Sequence, residues 1–127
     1  QAPSVIEDDF SIHIRQPLDL GVMQEAIKLF LGKHDFSSFR AQGCQANKPL
    51  RTINEASIDV KGNKIIFVFN AQSFLYQQIR IMVGSLLEVG LKNKKTNWIS
   101  ELIEAKDRSL AGPTVPSKGL ILKEISY

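Results

Sequence analysis

The stretch "SIDVKGNKIIFVF", Ser57 to Phe69, decides the architecture. Lys61-Gly62-Asn63 is a turn sequence between two strand-like runs, "SIDV" and "KIIFVF", so the pair reads as a β-hairpin. Every position from Ile65 to Phe69 is apolar, which predicts an inner strand covered on both faces. Toward the start of the chain, "FSIHI" (Phe10–Ile14) alternates apolar and polar residues and predicts a half-buried strand. Between these strands, Asp19 is placed to cap a helix, "LGVMQEAIKLFL". That helix turns Val22, Met23, Ala26, Ile27 and Phe30 to one side, and Gly32 is placed to end it. Beyond the hairpin, "SFLYQQIRIMVGSLLEVG" (Ser73–Gly90) carries Leu75, Ile79, Met82, Val83 and Leu86 at helical spacing. Phe74, Ile81, Leu87 and Val89 widen that stripe, so the segment predicts a buried helix. A basic connector, "LKNKKTN", leads to a shorter helix, "WISELIEAK", with Trp98, Ile99, Leu102 and Ile103 turned inward. A Pro/Gly loop, "DRSLAGPTVPSKG", precedes a closing strand, "LILKEISY". The order β-α-β-β-α-α-β is that of an α+β domain, an antiparallel or mixed sheet with helices packed on it.

Bulk properties exclude several classes. At 127 residues the chain fits one domain, and 43% hydrophobic with 23% charged residues is the balance of a folded protein. No apolar run approaches the roughly 18 residues of a membrane-spanning helix. The opening "QAPSVIEDDF" has no initiator Met, basic n-region or apolar h-region, so it is no signal peptide and is expected to be cut from a longer chain. A single cysteine, Cys44, excludes an internal disulfide and fits a reducing cytoplasm. A net charge of +3 and a pI near 9.1 permit a polyanionic partner without arguing for one.

Individual residues narrow the field further. His13 and His34 fall in different elements, with no cysteine or carboxylate at ligand spacing, so no metal site is expected. Ser37 and Ser38 lack the strand–turn–helix elbow of a serine nucleophile, and no glycine-rich phosphate loop is present. Cys44, with Lys48 nearby, reads as a small loop residue. After the first helix, "KHDFSSFRAQGCQANKPLRT" reads as a long loop, and from His34 to Arg51 it interleaves Phe36 and Phe39 with Arg40, Lys48 and Arg51, a mixture suited to an RNA backbone and its unstacked bases. The competing reading has the phenylalanines capping the core and the cations merely solvated.

Arg80 is the anomaly, an arginine in the middle of a buried helix, on one i, i+4, i+8 line with Tyr76 and Gly84. It either snorkels to water or meets an acid. Glu88 is too far along the same helix to pair with it directly. That leaves Asp107 folding back from the Pro/Gly loop, or an acid from a part of the protein outside this chain.

"GKHDFSSFRAQGCQ", "FLYQQIRIMVGSLLEVG" and "AKDRSLAGPTVPSKGLIL" together resemble the carboxyl-terminal half of the TruA-type tRNA pseudouridine synthases. The likeness runs from about Ala2 to Tyr127, with the three blocks in the family's order. It implies one lobe of the two-lobed pseudouridine synthase fold, with an RNA cleft between lobes whose sheets join. It also implies a homodimer that isomerises uridine to pseudouridine in the tRNA anticodon stem-loop, without metal or cofactor. The target nucleotide must leave its stack to reach the pocket. By the same resemblance, Arg80 matches the arginine that pairs with the catalytic aspartate, and Leu120 matches an apolar residue lining the uracil pocket. Tyr76 is then an expected wall of that pocket, and Gly84 a place where another backbone approaches. The family's aspartate lies in an Arg-Thr-Asp motif of the other lobe; here Arg51-Thr52 is followed by Ile53, so the chain lacks its nucleophile and is expected to be inactive alone. The alternative function is a non-catalytic RNA-binding or dimerisation module that retains only this lobe.

Overall fold

The computed structural model describes residues 6–12, 18–41, 48–61, 64–75 and 77–115. Its strands are β1 (Ile6–Ile12), β2 (Gly32–Asp35), β3 (Leu50–Lys61) and β4 (Lys64–Ala71), and its helices are α1 (Leu20–Ile27), α2 (Gln78–Gly90) and α3 (Asn97–Ala105). The strands form one sheet in the order β1-β4-β3-β2, antiparallel at every pairing. The expected α+β class holds, and among the described strands the sheet is antiparallel rather than mixed. The predicted hairpin is β3–β4, closed by Lys61 opposite Lys64.

One face of the sheet carries the core. Ile53 and Ile58 of β3 and Ile65, Phe67, Phe69 and Ala71 of β4 are buried beneath the helices, with Met23, Ala26 and Ile27 of α1 and most of α2. Each such large apolar side chain contributes about 1.5–3 kcal/mol of burial. The all-apolar run of β4 predicted cover on both faces. β4 does lie between two strands, but Ile66 and Val68 are only half-buried, so one face is sealed and the other is not.

Asp19 caps α1 as expected: its Oδ1 accepts the Val22 N–H at 3.2 Å. Its own N–H donates to the Gly90 carbonyl at 2.9 Å, which ties the start of α1 to the end of α2. The α-helix is shorter than the apolar pattern implied. It tightens into a 3-10 turn at Lys28–Phe30, and Gly32 follows with φ +93°, a conformation that suits glycine. In α3, Ile99 and Leu102 are buried, whereas Trp98 and Ile103 are half-buried and Lys94 lies 5.3 Å over the Trp98 ring.

Besides β1, which begins at Ile6 rather than Phe10, and the shortened α1, three elements differ from the sequence expectation. The presumed long loop after α1 contains β2 and a 3-10 turn at Ser37–Phe39. β3 begins at Leu50, well before "SIDV", because a bulge between Ile53 and Glu55 offsets its inward alternation by one residue and hides the strand's first half. The third is the start of α2. Gln77 adopts a left-handed conformation (φ 59°), and the Leu75 N–H is taken by Gln78 Oε1 at 2.8 Å, so residues 73–75 lead into the helix without belonging to it. The expected closing strand, the end of the Phe10–Ile14 strand, Tyr76, Leu120 and Cys44 lie outside the described residues.

Candidate functional site

The centre of interest is the first turn of α2. Eleven of its 13 residues are buried, and Arg80 is one of the two that are not. Arg80 is half-buried, and its Nε donates to the Val115 carbonyl at 2.8 Å. The Val115 N–H returns a bond to the Arg80 carbonyl at 3.3 Å. These two bonds close a short strap, Ala111–Val115, over the helix. One turn on, Gly84 packs against the same strap: a Cβ there would run into the Pro113 carbonyl oxygen. Gly112 makes a second such contact, for its Cβ would sit 2.8 Å from Ser85 Cα. The buried hydroxyl of Ser85 donates to the Ile81 carbonyl at 3.0 Å and accepts the Gly112 N–H at 3.0 Å. Gly84 thus admits another backbone, the role expected of it from the resemblance.

Asp107 is not the partner of Arg80. It is exposed, and its Oδ1 accepts the Ser109 N–H at 3.0 Å and the Ser109 hydroxyl at 2.7 Å, capping a 3-10 turn at Arg108–Leu110. Its backbone N–H donates to Ser38 Oγ at 2.7 Å, and that hydroxyl donates to the Leu102 carbonyl at 2.6 Å. The bonds from Ser109, first from its hydroxyl and then from its N–H, hold the Asp107 carboxyl below the usual carboxylate value. Among the described residues the ion pair is Lys92–Asp19 at 3.5 Å, and no carboxylate meets Arg80.

The second expected site separates into two parts. Phe36 and Phe39 are fully buried, and with Phe30 they form a ring cluster, Phe30–Phe39 edge-on at 5.2 Å and Phe36–Phe39 at 6.1 Å. They have no face to offer a base. The RNA-stacking role expected of them is corrected: β2 and the Ser37–Phe39 turn fold them under the sheet, where two aromatic side chains gain most from burial. The cations lie elsewhere. Arg40 is half-buried, Lys48 is exposed, and Arg51 stands on β3 rather than in a loop. Arg51 Nη1 donates to the carbonyls of Lys48 at 2.8 Å and Leu50 at 2.7 Å, while its buried Nε has no partner among the described residues. Arg51 lines an open cleft of about 330 Å³ with Lys33, Leu50, Thr52, Asn54, Gln72 and Ser73. Lys33 reaches it because β2 pairs Lys33 with Thr52. Reading the segment as a loop missed Lys33, and the bulge hid Asn54. Ser85 left only a faint signal, a hydroxyl amid apolar residues one position past Gly84. His34 Nε2 lies 2.7 Å from the Leu31 carbonyl, and no group of three or more metal-ligating side chains gathers among the described residues. Nor is any helix there long and apolar enough to cross a membrane.

Comparison with known proteins gives this geometry its context. The family model described as tRNA pseudouridine synthase matches residues 26–127. The chain belongs to the tRNA pseudouridine synthase family. It is 43% identical over 126 residues to tRNA pseudouridine synthase A of Acidiphilium cryptum, covering 99% of this chain and 49% of that protein. It is 40% identical over 127 residues to tRNA pseudouridine synthase A 2 of Clostridium perfringens, covering 100% and 52%. With tRNA pseudouridine synthase A of Streptococcus thermophilus it shares 44% identity over 121 residues, 94% and 49%. The chain therefore spans about half the length of the curated tRNA pseudouridine synthases it matches. The strap and the Arg80 turn both lie within the matched region.

Proposed function

We propose that this chain is the carboxyl-terminal lobe of an enzyme that isomerises uridine to pseudouridine in the tRNA anticodon stem-loop. In this reading Arg80 meets the catalytic aspartate of the amino-terminal lobe. One observation carries it: the Arg80 guanidinium is fixed at Nε by the Val115 carbonyl, while Asp107, the acid that the sequence offered as folding back, is exposed and committed to Ser109. Glu88 shares the helix of Arg80 but lies two turns further along it.

The chemistry asks a carboxylate to stay ionised and aimed at the nucleotide while the bond between uracil and ribose breaks, the base turns, and a carbon–carbon bond forms. An adjacent arginine lowers a carboxylate's pKa by about 1–3 units. Its planar fork also fixes orientation through paired N–H···O bonds. Leu120 and Tyr76 are proposed for the uracil pocket. Lys33, Arg40, Lys48 and Arg51 are proposed to meet tRNA phosphates, supported by the shared cleft of Lys33 and Arg51. The working enzyme is proposed to be a cytoplasmic homodimer, and this lobe alone to be inactive.

The test is Arg80→Met in the full-length enzyme, with single-turnover kinetics, tRNA binding and thermal melting measured together. Methionine retains much of the volume, but it removes one partner of a proposed ion pair and the Nε bond to the Val115 carbonyl, so stability is followed beside the rate. The expected result is a fall in kcat of about 100-fold or more with Kd for tRNA unchanged and the enzyme still folded at the assay temperature. Wild-type kcat would overturn the assignment.

A further inference from the structure

The Arg80 contacts contain more than an anchored side chain. Arginine binds a carboxylate through two parallel N–H groups, and it has more than one edge on which to do so. With Nε given to the Val115 carbonyl, the edge that remains complete is the pair of terminal nitrogens, Nη1 and Nη2. The carbonyl that makes this choice belongs to a segment with no regular structure of its own. What keeps that segment in place is visible in four contacts on one stretch of α2. Val115 N–H bonds the Arg80 carbonyl, Gly112 N–H bonds Ser85 Oγ, Pro113 lies on the bare Cα of Gly84, and Gly112 lies on the backbone of Ser85. Both glycines are required by contact between two backbones, not by a turn.

From these contacts we infer that the Ala111–Val115 strap, latched by Ser85 and seated on Gly84, is the device that positions the Arg80 guanidinium, so that its terminal nitrogens face the incoming carboxylate. This rests on the proposed role of Arg80 and adds a positioning residue, Ser85, which touches neither substrate nor nucleophile. Two features favour a positioning role over simple packing. Ser85 is a buried polar residue in an otherwise apolar part of the helix, where an alanine would fill nearly the same space. Its hydroxyl also spans the two partners, taking the strap's N–H while giving its own proton to the helix carbonyl of Ile81. Loss of that acceptor strands the buried Gly112 N–H, and the strap must shift to rehydrate it.

The experiment is a double-mutant cycle in the full-length enzyme with Ser85→Ala, Arg80→Lys and the pair, read as kcat and KM for tRNA under single-turnover conditions. Lysine keeps the cation but has no Nε donor for the Val115 carbonyl. Ser85→Ala is expected to lower kcat about 10-fold with KM unchanged, the scale on which small misplacements act. On the Arg80→Lys background it is expected to lower kcat no further, because the contact it supports is already gone. Wild-type kcat in Ser85→Ala overturns the inference, as does an equal fall on both backgrounds, which marks a structural effect unrelated to Arg80. If Ser85→Ala does not fold, Ser85→Cys, similar in size and a weaker acceptor, is read by the same criteria. Wild-type kcat in Arg80→Lys alone shows instead that the reading of Arg80 has failed, a result distinguishable before Ser85 is altered.

Discussion

Asp107 takes two hydrogen bonds from Ser109 on a single oxygen, and both favour the ionised carboxyl. Its folded pKa is therefore lower than its unfolded one. The stability this confers is present above the unfolded value and fades as pH falls through the folded value. Asp107→Asn keeps an acceptor at the turn but removes the charge. Its Tm is expected to lie slightly below wild type near neutrality, and the gap to close on acidification below about pH 4, as melts across that range would show. The catalytic rate of the full-length enzyme is expected to be unaffected by Asp107→Asn. A loss of activity matching that of Arg80→Met would return Asp107 to the role of partner. The sequence identified Arg80 as anomalous through its apolar neighbours. It left Asp107 open, because whether an acid folds back or caps a turn depends on hydrogen bonds that spacing does not encode.

Among the elements, those with an unbroken pattern were legible: α1 with its Asp19 cap, the β3–β4 hairpin, and the apolar body of α2. Those interrupted by one local event were not. A bulge near Asn54 displaced the alternation of β3, and a left-handed Gln77 with a side-chain bond from Gln78 delayed α2. β2 has four residues, too few for alternation to register, yet it turns Phe36 and Phe39 inward and sets Lys33 beside Thr52. The aromatic and cationic members of that segment consequently sit apart, the rings fully buried in the core, Lys48 exposed and Arg40 and Arg51 half-buried. The prediction at this scale concerns the cleft. Replacing Lys33, Lys48 and Arg51 by glutamine in the full-length enzyme is expected to weaken tRNA binding and flatten its salt dependence. Each lost phosphate contact should reduce the log–log slope by about 0.7–0.9. An unchanged slope would leave these residues as solvated surface.

On the scale of the whole molecule, the chain presents a helix turn with a fixed guanidinium, on a sheet that the described helices cover on one face. The sequence carried the fold class and marked Arg80 as an anomaly among apolar neighbours. It did not carry the strap, since neither "AGPTV" nor "GSLL" shows by periodicity that the two backbones touch. If the acid that Arg80 meets is the nucleophile of the other lobe, then Arg80 holds that acid ionised at low pH, and this dependence is open to measurement. The most direct test is the acid limb of the pH–rate profile of the full-length enzyme, wild type against Arg80→Met, taken under single-turnover conditions. The pKa governing that limb is expected to rise by about 1–3 units when the guanidinium is removed. An acid limb that stays where it was, with Arg80→Met folded and binding tRNA, would contradict it.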